Sequence, residues 1–508
     1  MRAKISFAAV AVLSLFRAEP SPGEIYYMDG TAGHSMYLGT SGAPFATMEQ
    51  AASAVKPGDT LIFKSEISPV SINGILAGEP GKPVVIKGAA PYQKVQPFFL
   101  KENTTVENFE IASSTAKCVV GNDVANTTLR NGKMHDAPDT AVTLNGVSNF
   151  LFEDIEIYNM DGHGINIFGA PRASHHGTLR RVVIHDIKDS SGGKGDGFEM
   201  QHPTTDNNVV YAITFENCKA YRTAHDGFDL NGANLTLIGC WAYETGASGT
   251  VPMNGFKLWG DMPYPKKTQV AHYMLNCVAW KTPGAAMPAG AGSNTKYYNC
   301  LIYDCARQHP AAAIQGGGLT VRNCIIVNNK SALALEGGSD SDYNIIYKND
   351  SQTLASLQTK TNEQHSIAFD PLFKDPANGD FHLQPGSPAI DFGITDSSTP
   401  QTDSEGKARV DIPEADNVNG TTCDAGPFEF TGSGGGNNNG NTTNIAQPED
   451  LKPWPNPVNP VKDPGSRVYF SNIHLKAPGK LYVYSLDNKL VRSLDYSGSG
   501  SIFWDLKD

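Results

Sequence analysis

Apolar and polar positions along this chain alternate in short runs, and Gly, Asn and Asp break each run before helical spacing can build. The runs repeat. Five share one local pattern: Asn-Cys218-Lys-Ala-Tyr, Gly-Cys240-Trp-Ala-Tyr, Asn-Cys277-Val-Ala-Trp, Asn-Cys300-Leu-Ile-Tyr and Asn-Cys324-Ile-Ile-Val, spaced by 22, 37, 23 and 24 residues. The pattern extends back through Phe109, Gly132 and Ile155 in steps of 23 and forward to Ile345. A period this short marks a solenoid. The Leu-x-x-Leu-x-Leu signature of leucine-rich repeats is absent, and each repeat holds short strands with no room for a helix. The fold class predicted is therefore all-β, a right-handed parallel β-helix. Its recurrent Cys should stack inward as small apolar side chains, with Asn ladders at the corner. That packing reading is preferred to disulfides between rungs, and both to metal binding, since no CxxC pair or histidine set accompanies the column.

The ends of the repeat region carry different patterns. Thr47 followed by Met-Glu-Gln-Ala-Ala-Ser-Ala-Val55 has an N-cap and helical apolar spacing, which predicts a short helix capping the first rung. Beyond residue 350 the period fades into Phe369-Asp-Pro-Leu-Phe, Gly379-Asp-Phe-His-Leu and Gly386-Ser-Pro-Ala-Ile-Asp, a closing segment. Residues 1–20 read as an export signal, with Arg2 and Lys4 before an apolar run too short to span a bilayer as an ordinary transmembrane helix. The β-helix domain is placed at 24–430 and a Gly/Asn/Thr linker at 431–446. Residues 447–508 form a small β-rich module, immunoglobulin-like or a sorting and attachment segment. The expected location is secreted, with cell-surface attachment or secretion machinery as partners of that module, and the expected state is a monomer.

Composition sharpens the chemistry. Charged residues are only 18% and the net charge is −12, which excludes a nucleic-acid binder that would need a basic face. A second repeated strand lies between the Cys strands: Gly162-His-Gly-Ile-Asn-Ile, Gly195-Asp-Gly-Phe-Glu-Met, His225-Asp-Gly-Phe-Asp-Leu and Met253-Asn-Gly-Phe-Lys-Leu. Aligned on the second Gly, the preceding column is His163, Asp196, Asp226, Asn254, the inward column Ile165, Phe198, Phe228, Phe256, and the outward column Asn166, Glu199, Asp229, Lys257. Stacked strands lie about 4.8 Å apart, so Asp196, Glu199, Asp226 and Asp229 should share one solvent-facing patch beside Lys257. Four clustered carboxylates call for a hard divalent cation, and Ca2+ tolerates such an oxygen set best. Calcium would also let an acidic protein hold an acidic polymer, and a nearby lysine could remove the proton α to a uronate carboxylate.

The segments Gly-Asp196-Gly-Phe, His-Asp226-Gly-Phe-Asp229 and Asn-Gly-Phe-Lys257-Leu, with Cys-x-Ala-Tyr rungs between them, resemble family nine polysaccharide lyases, the pectate lyases, over roughly residues 24 to 430. The resemblance implies calcium-dependent β-elimination of an acidic plant cell-wall polysaccharide such as pectate. It implies Asp196, Asp226 and Asp229 as calcium ligands and Lys257 as the base. Where the family has paired acids before Gly-Phe-Asp, this chain has His225 and Asp226. His225 is a candidate ligand, a substrate hydrogen-bonding group or an exposed side chain, and the outward column offers Glu199 as the replacement oxygen. Gly162-His163-Gly164 looks like polygalacturonase hydrolases but lacks their Arg-x-Lys and is set aside. Lys194, Arg222, Lys266 and Lys267 are read as solvated charge near the cleft rather than substrate ligands. A non-catalytic uronan-binding β-helix and a β-helical pectin hydrolase are the alternatives.

Overall fold

A computed structural model describes residues 23–432 except 65–68, 70, 74–76, 113–116, 202–208, 247–252, 260–270, 291–292, 309–310, 359–361 and 413–422; beyond 432 it describes the backbone of five short strands. The export segment, most of the linker, Lys266 and Lys267 lie outside the described residues.

The chain winds into a right-handed parallel β-helix, the hand that parallel crossovers adopt. One coil shows how sequence makes the shape. Strand Val210–Glu216 ends at Asn217, whose φ of 53° turns the corner; Cys218 and strand Lys219–Thr223 follow, then a second turn and strand Phe228–Asn231. Asn276, Asn299 and Asn323 precede their cysteines in the same left-handed conformation, which Asn tolerates better than most residues. In the one rung of the five that lacks this Asn, Gly239 takes the position at φ 62°. Earlier corners stack as amide ladders, Asn126 Nδ2 donating to Asn103 Oδ1 at 2.9 Å and Asn149 Nδ2 to Asn126 Oδ1 at 3.2 Å.

Twenty strands form one continuous bent sheet, and seven form a second. We number those seven β1 (Phe98–Phe99), β2 (Val119–Asn122), β3 (Val142–Asn145), β4 (Ile165–Phe168), β5 (Phe198–Met200), β6 (Phe228–Asn231) and β7 (Phe256–Trp259). Between the sheets runs a single apolar core. Phe198, Phe228 and Phe256 stack in it with ring centroids 4.6 Å apart, and Phe215 meets Phe198 and Phe228 edge-on. All eight cysteines are free and buried, so the column is packing rather than cross-linking. The first rung is covered by helix α1 (Met48–Ala54), capped by Thr47 with Gln50 completing a capping box and Met48 and Ala51 turned inward.

The described residues of the closing segment, within 369–430, lie along the side of the coil. Strands Phe373–Asp375 and Asp380–Leu383 pair antiparallel, and Phe373, Phe381, Phe392 and Phe428 pack in a separate cluster on Val278, Trp280, Leu301, Ile325 and Ile345. The reason is local. Strands Val278–Trp280 and Ile325–Val327 are buried at every position, so their outer face is apolar and needs cover. Among the described residues no helix is long and apolar enough to cross a membrane. The five C-terminal strands form two antiparallel sheets, Pro453–Trp454 with Val468–Phe470 and Ile502–Trp504, and Gly479–Tyr484 with Leu490–Tyr496.

Candidate functional site

The seven-stranded sheet sets the register. Ile165 pairs with Phe198, Phe198 with Phe228 and Phe228 with Phe256, while Asn166, Glu199, Asp229 and Lys257 pair in the same succession on the opposite face. The register implied by the sequence columns is the one observed. The outward row continues upstream through Thr143 on β3 and Val120 on β2.

Asp196 and Asp226 are not solvent-facing as alternation suggests. They are 6% and 3% exposed, in the turns before β5 and β6. The cause is a side-chain-to-backbone ladder between stacked turns. Asp196 Oδ1 accepts from the Asp226 backbone N–H at 2.9 Å, and Asp226 Oδ1 accepts from the Asn254 backbone N–H at 2.6 Å and from Asn254 Nδ2 at 3.1 Å. Each Oδ1 is thus held by the next rung and each Oδ2 is left for the site. Asp226 Oδ2 lies 3.5 Å from Lys257 Nζ, and Asp229 Oδ2 lies 2.7 Å from it. Asp229 Oδ1 is buried with no hydrogen-bond partner.

Upstream, His163 sits between two carboxylates, Nδ1 3.2 Å from Asp196 Oδ2 and Nε2 3.1 Å from Glu199 Oε2, and Asn166 Nδ2 donates to Glu199. The sequence placed His163 in the right column, but its flanking glycines led to its being set aside. Reading that column for chemistry alone would have found it. His225 is not brought to the cluster: its Nε2 lies 2.9 Å from Asp189 Oδ2, and Asp189 also accepts from the Gly192 and Gly193 backbone N–H groups. Arg222 is on the other sheet, pairing with Asp186 at 2.6 Å, while Lys194 pairs with Asp139 at 2.9 Å beside the cleft.

The electrostatics follow from crowding. Burial, with the carboxylates of Asp196 and Asp229 adding to it, pushes Asp226 up to about 7. Burial likewise raises Glu199, against His163, and Asp229, against Lys257. Burial acts to lower Lys257, but Asp229 and Asp226 outweigh it and hold the amine above its ordinary value. Such a set fits a hard cation. Asp196, Asp226 and Asp229 each offer one ligand atom, all within 4.8 Å of one another, and His163, Asp196 and Glu199 form an overlapping group. The all-oxygen set with the orphaned Asp229 Oδ1 suits Ca2+, and Asp196, Asp226 and Asp229 are the residues that would hold it.

The comparisons agree with this architecture. A family model described as the Pel9A-like right-handed β-helix region matches residues 26–304, which include every strand of the site. No curated protein matches the sequence significantly. Among solved structures, the chain is similar to pectate lyase Pel9A at 18% identity, covering 80% of this chain and 97% of that one with a TM-score of 0.50. It is also similar to a rhamnogalacturonan lyase (16% identity, 74% and 97% covered, TM-score 0.42) and to XylC in complex with xylose (10%, 80% and 98%, 0.49). The likeness to Pel9A speaks for the fold, and the family match covers more than half the chain. The chain belongs to the Pel9A-like family of right-handed β-helix proteins.

Proposed function

We propose that this protein is a secreted, calcium-dependent polysaccharide lyase that cleaves a uronate polymer of the pectate type by β-elimination. One observation carries the reading: Lys257 Nζ stands within 3.5 Å of Asp226 and 2.7 Å of Asp229, at the end of a row of hard oxygen donors set by strand register. The family supports the same direction, since its namesake among solved structures is a pectate lyase.

Asp196, Asp226 and Asp229 would hold the calcium, with Glu199 as the further oxygen; His225, turned to Asp189, is left to orient the loop at Asp189. A bound calcium ion would neutralise the substrate carboxylate and so favour charge developing at the neighbouring carbon. Lys257 takes the C5 proton; the electrons of that C–H bond form the C4=C5 double bond, and the C4–O bond breaks. The leaving oxygen is protonated as the chain separates. A base must be neutral, and the two carboxylates that raise Lys257 are among the proposed cation ligands. With a cation bound, those carboxylates would hold the amine's charge less strongly, and because the ordinary lysine value lies well above neutral, activity should be greatest at alkaline pH.

The test is polygalacturonate with calcium, followed by the ultraviolet absorbance of a 4,5-unsaturated product. Lys257→Arg keeps the positive charge but cannot serve as a neutral base, and should lower turnover by about 1,000-fold with calcium binding retained. New reducing ends without absorbance would point to hydrolysis instead. Polymer binding with no product in either protein would point to a non-catalytic binder. We read the C-terminal strands as a sorting or attachment module.

A further inference from the structure

A cleft of about 200 Å³, open to solvent, lies upstream of the acidic cluster on the same face of the seven-stranded sheet. Thr143, Asn166 and Phe168 on β3 and β4 line it, together with Glu199, and Lys117 and Lys194 stand in its wall. Three features suggest that it is built for a ligand.

The first is unsatisfied polarity. Thr143 and Asn166 are each 4% exposed, and Thr143 Oγ1 and Asn166 Oδ1 have no hydrogen-bond partner. Leaving a buried acceptor unpaired costs about 1–3 kcal/mol, so two on neighbouring strands call for a donor from outside. The second is charge. Lys194 is paired with Asp139 at 2.9 Å, and Lys117 feels the same carboxylate while making no ion pair with any described residue. In a protein of net charge −12, two ammoniums sharing one carboxylate in a cleft wall favour an anion. The third is alignment. Thr143 and Asn166 belong to the outward row that runs on through Glu199 and Asp229 to Lys257.

We propose that this cleft is a uronate subsite, in which Lys117 meets the carboxylate of one sugar acid while Thr143 and Asn166 accept protons from its hydroxyls. Asn166 is three strands from Lys257, about 14 Å along the solenoid, so the subsite binds a sugar remote from the bond being cleaved. The polymer then lies along the axis of the coil, crossing successive rungs. The ligand class rests on the lyase reading above; the cleft and its unpaired groups do not.

Titration calorimetry of digalacturonate into the full chain, with calcium chelated, tests this cleft apart from the proposed ion site, because no cation then bridges the acid to Asp196, Asp226 and Asp229. Digalacturonate should bind, and Lys117→Met should weaken it by about tenfold. Thr143→Val, nearly isosteric, should weaken it by about threefold, and the neutral digalactose of the same skeleton should bind at least tenfold more weakly than the acid. Lys117 is on the cleft wall rather than in the core, so its variant tests the idea even if Thr143→Val folds poorly. No binding, equal binding of the neutral disaccharide, or an unchanged affinity in Lys117→Met would overturn the proposal. The two readings separate cleanly. Cleft binding without any unsaturated product from polygalacturonate sinks the lyase and spares the subsite, and product formation without cleft binding does the reverse.

Discussion

The column Cys218, Cys240, Cys277, Cys300, Cys324 and the row Glu199, Asp229, Lys257 arise from the same rule: equivalent residues in successive coils stack. Their chemistry makes the outcomes opposite. Each thiol donates to a carbonyl of the rung before it, Cys218 to Leu179 at 3.3 Å and Cys277 to Leu237 at 3.5 Å, and to the carbonyl two residues back in its own rung. Burial pushes the Cys218, Cys240 and Cys300 thiols up, so these three stay neutral and stack without charge repulsion. The carboxylates repel as they stack, are raised by burial, and leave Asp229 Oδ1 with no partner. Repetition places a residue; its charge decides whether the protein alone can satisfy it.

The strongest way to break the contrast is to put a charge where the thiols are. Cys240 is fully buried and its surroundings offer carbonyl oxygens, which repel an anion. Cys240→Asp should destabilise the protein by about 5 kcal/mol or abolish folding, read from denaturant unfolding. A loss under about 1 kcal/mol would mean that the thiol column is as tolerant of charge as the acidic face.

A buried titratable group just before strand Tyr273–Leu275 sharpens the same contrast through pH. His272 is fully buried, its Nδ1 accepts from the Leu235 backbone N–H at 3.2 Å, and burial pushes it down to about 4. The unfolded chain binds that proton near pH 6.5 and the folded chain only near 4. Stability is therefore fully present above about 6.5 and is lost as pH falls through about 4, by up to about 3 kcal/mol. His272→Gln should flatten that part of the stability profile, measured from pH 7 to 4; a profile as steep as wild type would show that other groups govern it.

How much of this could be read from the sequence follows the same division. The register was legible because Gly-Phe198, Gly-Phe228 and Gly-Phe256 repeat a glycine and an inward ring together. The capping helix was legible from Thr47 and Gln50, whose contacts are local. The burial of Asp196 and Asp226 was not, because the groups that bury them are backbone N–H groups of the next rung, 28 to 30 residues away. Nor was the pairing of His225 with Asp189, which a glycine-rich loop brings back to the site. The side cover could have been foreseen from the unbroken apolar strands Val278-Ala-Trp280 and Ile325-Ile-Val327, which show no outward polar residue.

Removing charge from the acidic face should have the opposite sign. In the calcium-free protein at pH 8 the Asp226 carboxylate is ionised against burial and two neighbouring acids, although its Oδ1 still accepts two hydrogen bonds from Asn254. Asp226→Asn keeps an acceptor and removes the charge, so it should raise the stability of the calcium-free protein by about 2 kcal/mol. It should also shrink the increase in melting temperature that the proposed calcium site would give. A variant less stable than wild type without calcium would show that the stacked-turn ladder, rather than repulsion, dominates at this position.

The smallest effect belongs to the column that satisfies itself. Cys277 lies between Cys240 and Cys300, adjoining the rungs that carry the site, but on the sheet opposite Lys257. Cys277→Ala removes one sulfur and its contacts while exposing no charge, and the carbonyls of Leu237 and Leu275 retain their other roles in the ladder. The expected cost is about 1 kcal/mol, seen as a small shift in the denaturant midpoint, with the proposed calcium-dependent activity unchanged. Because the strands stack through their backbones, the register of Asp229 and Lys257 should not depend on this side chain. A large loss of activity with stability intact would mean that the thiol column helps to set the alignment of the acidic row, and that the two stacks are mechanically one.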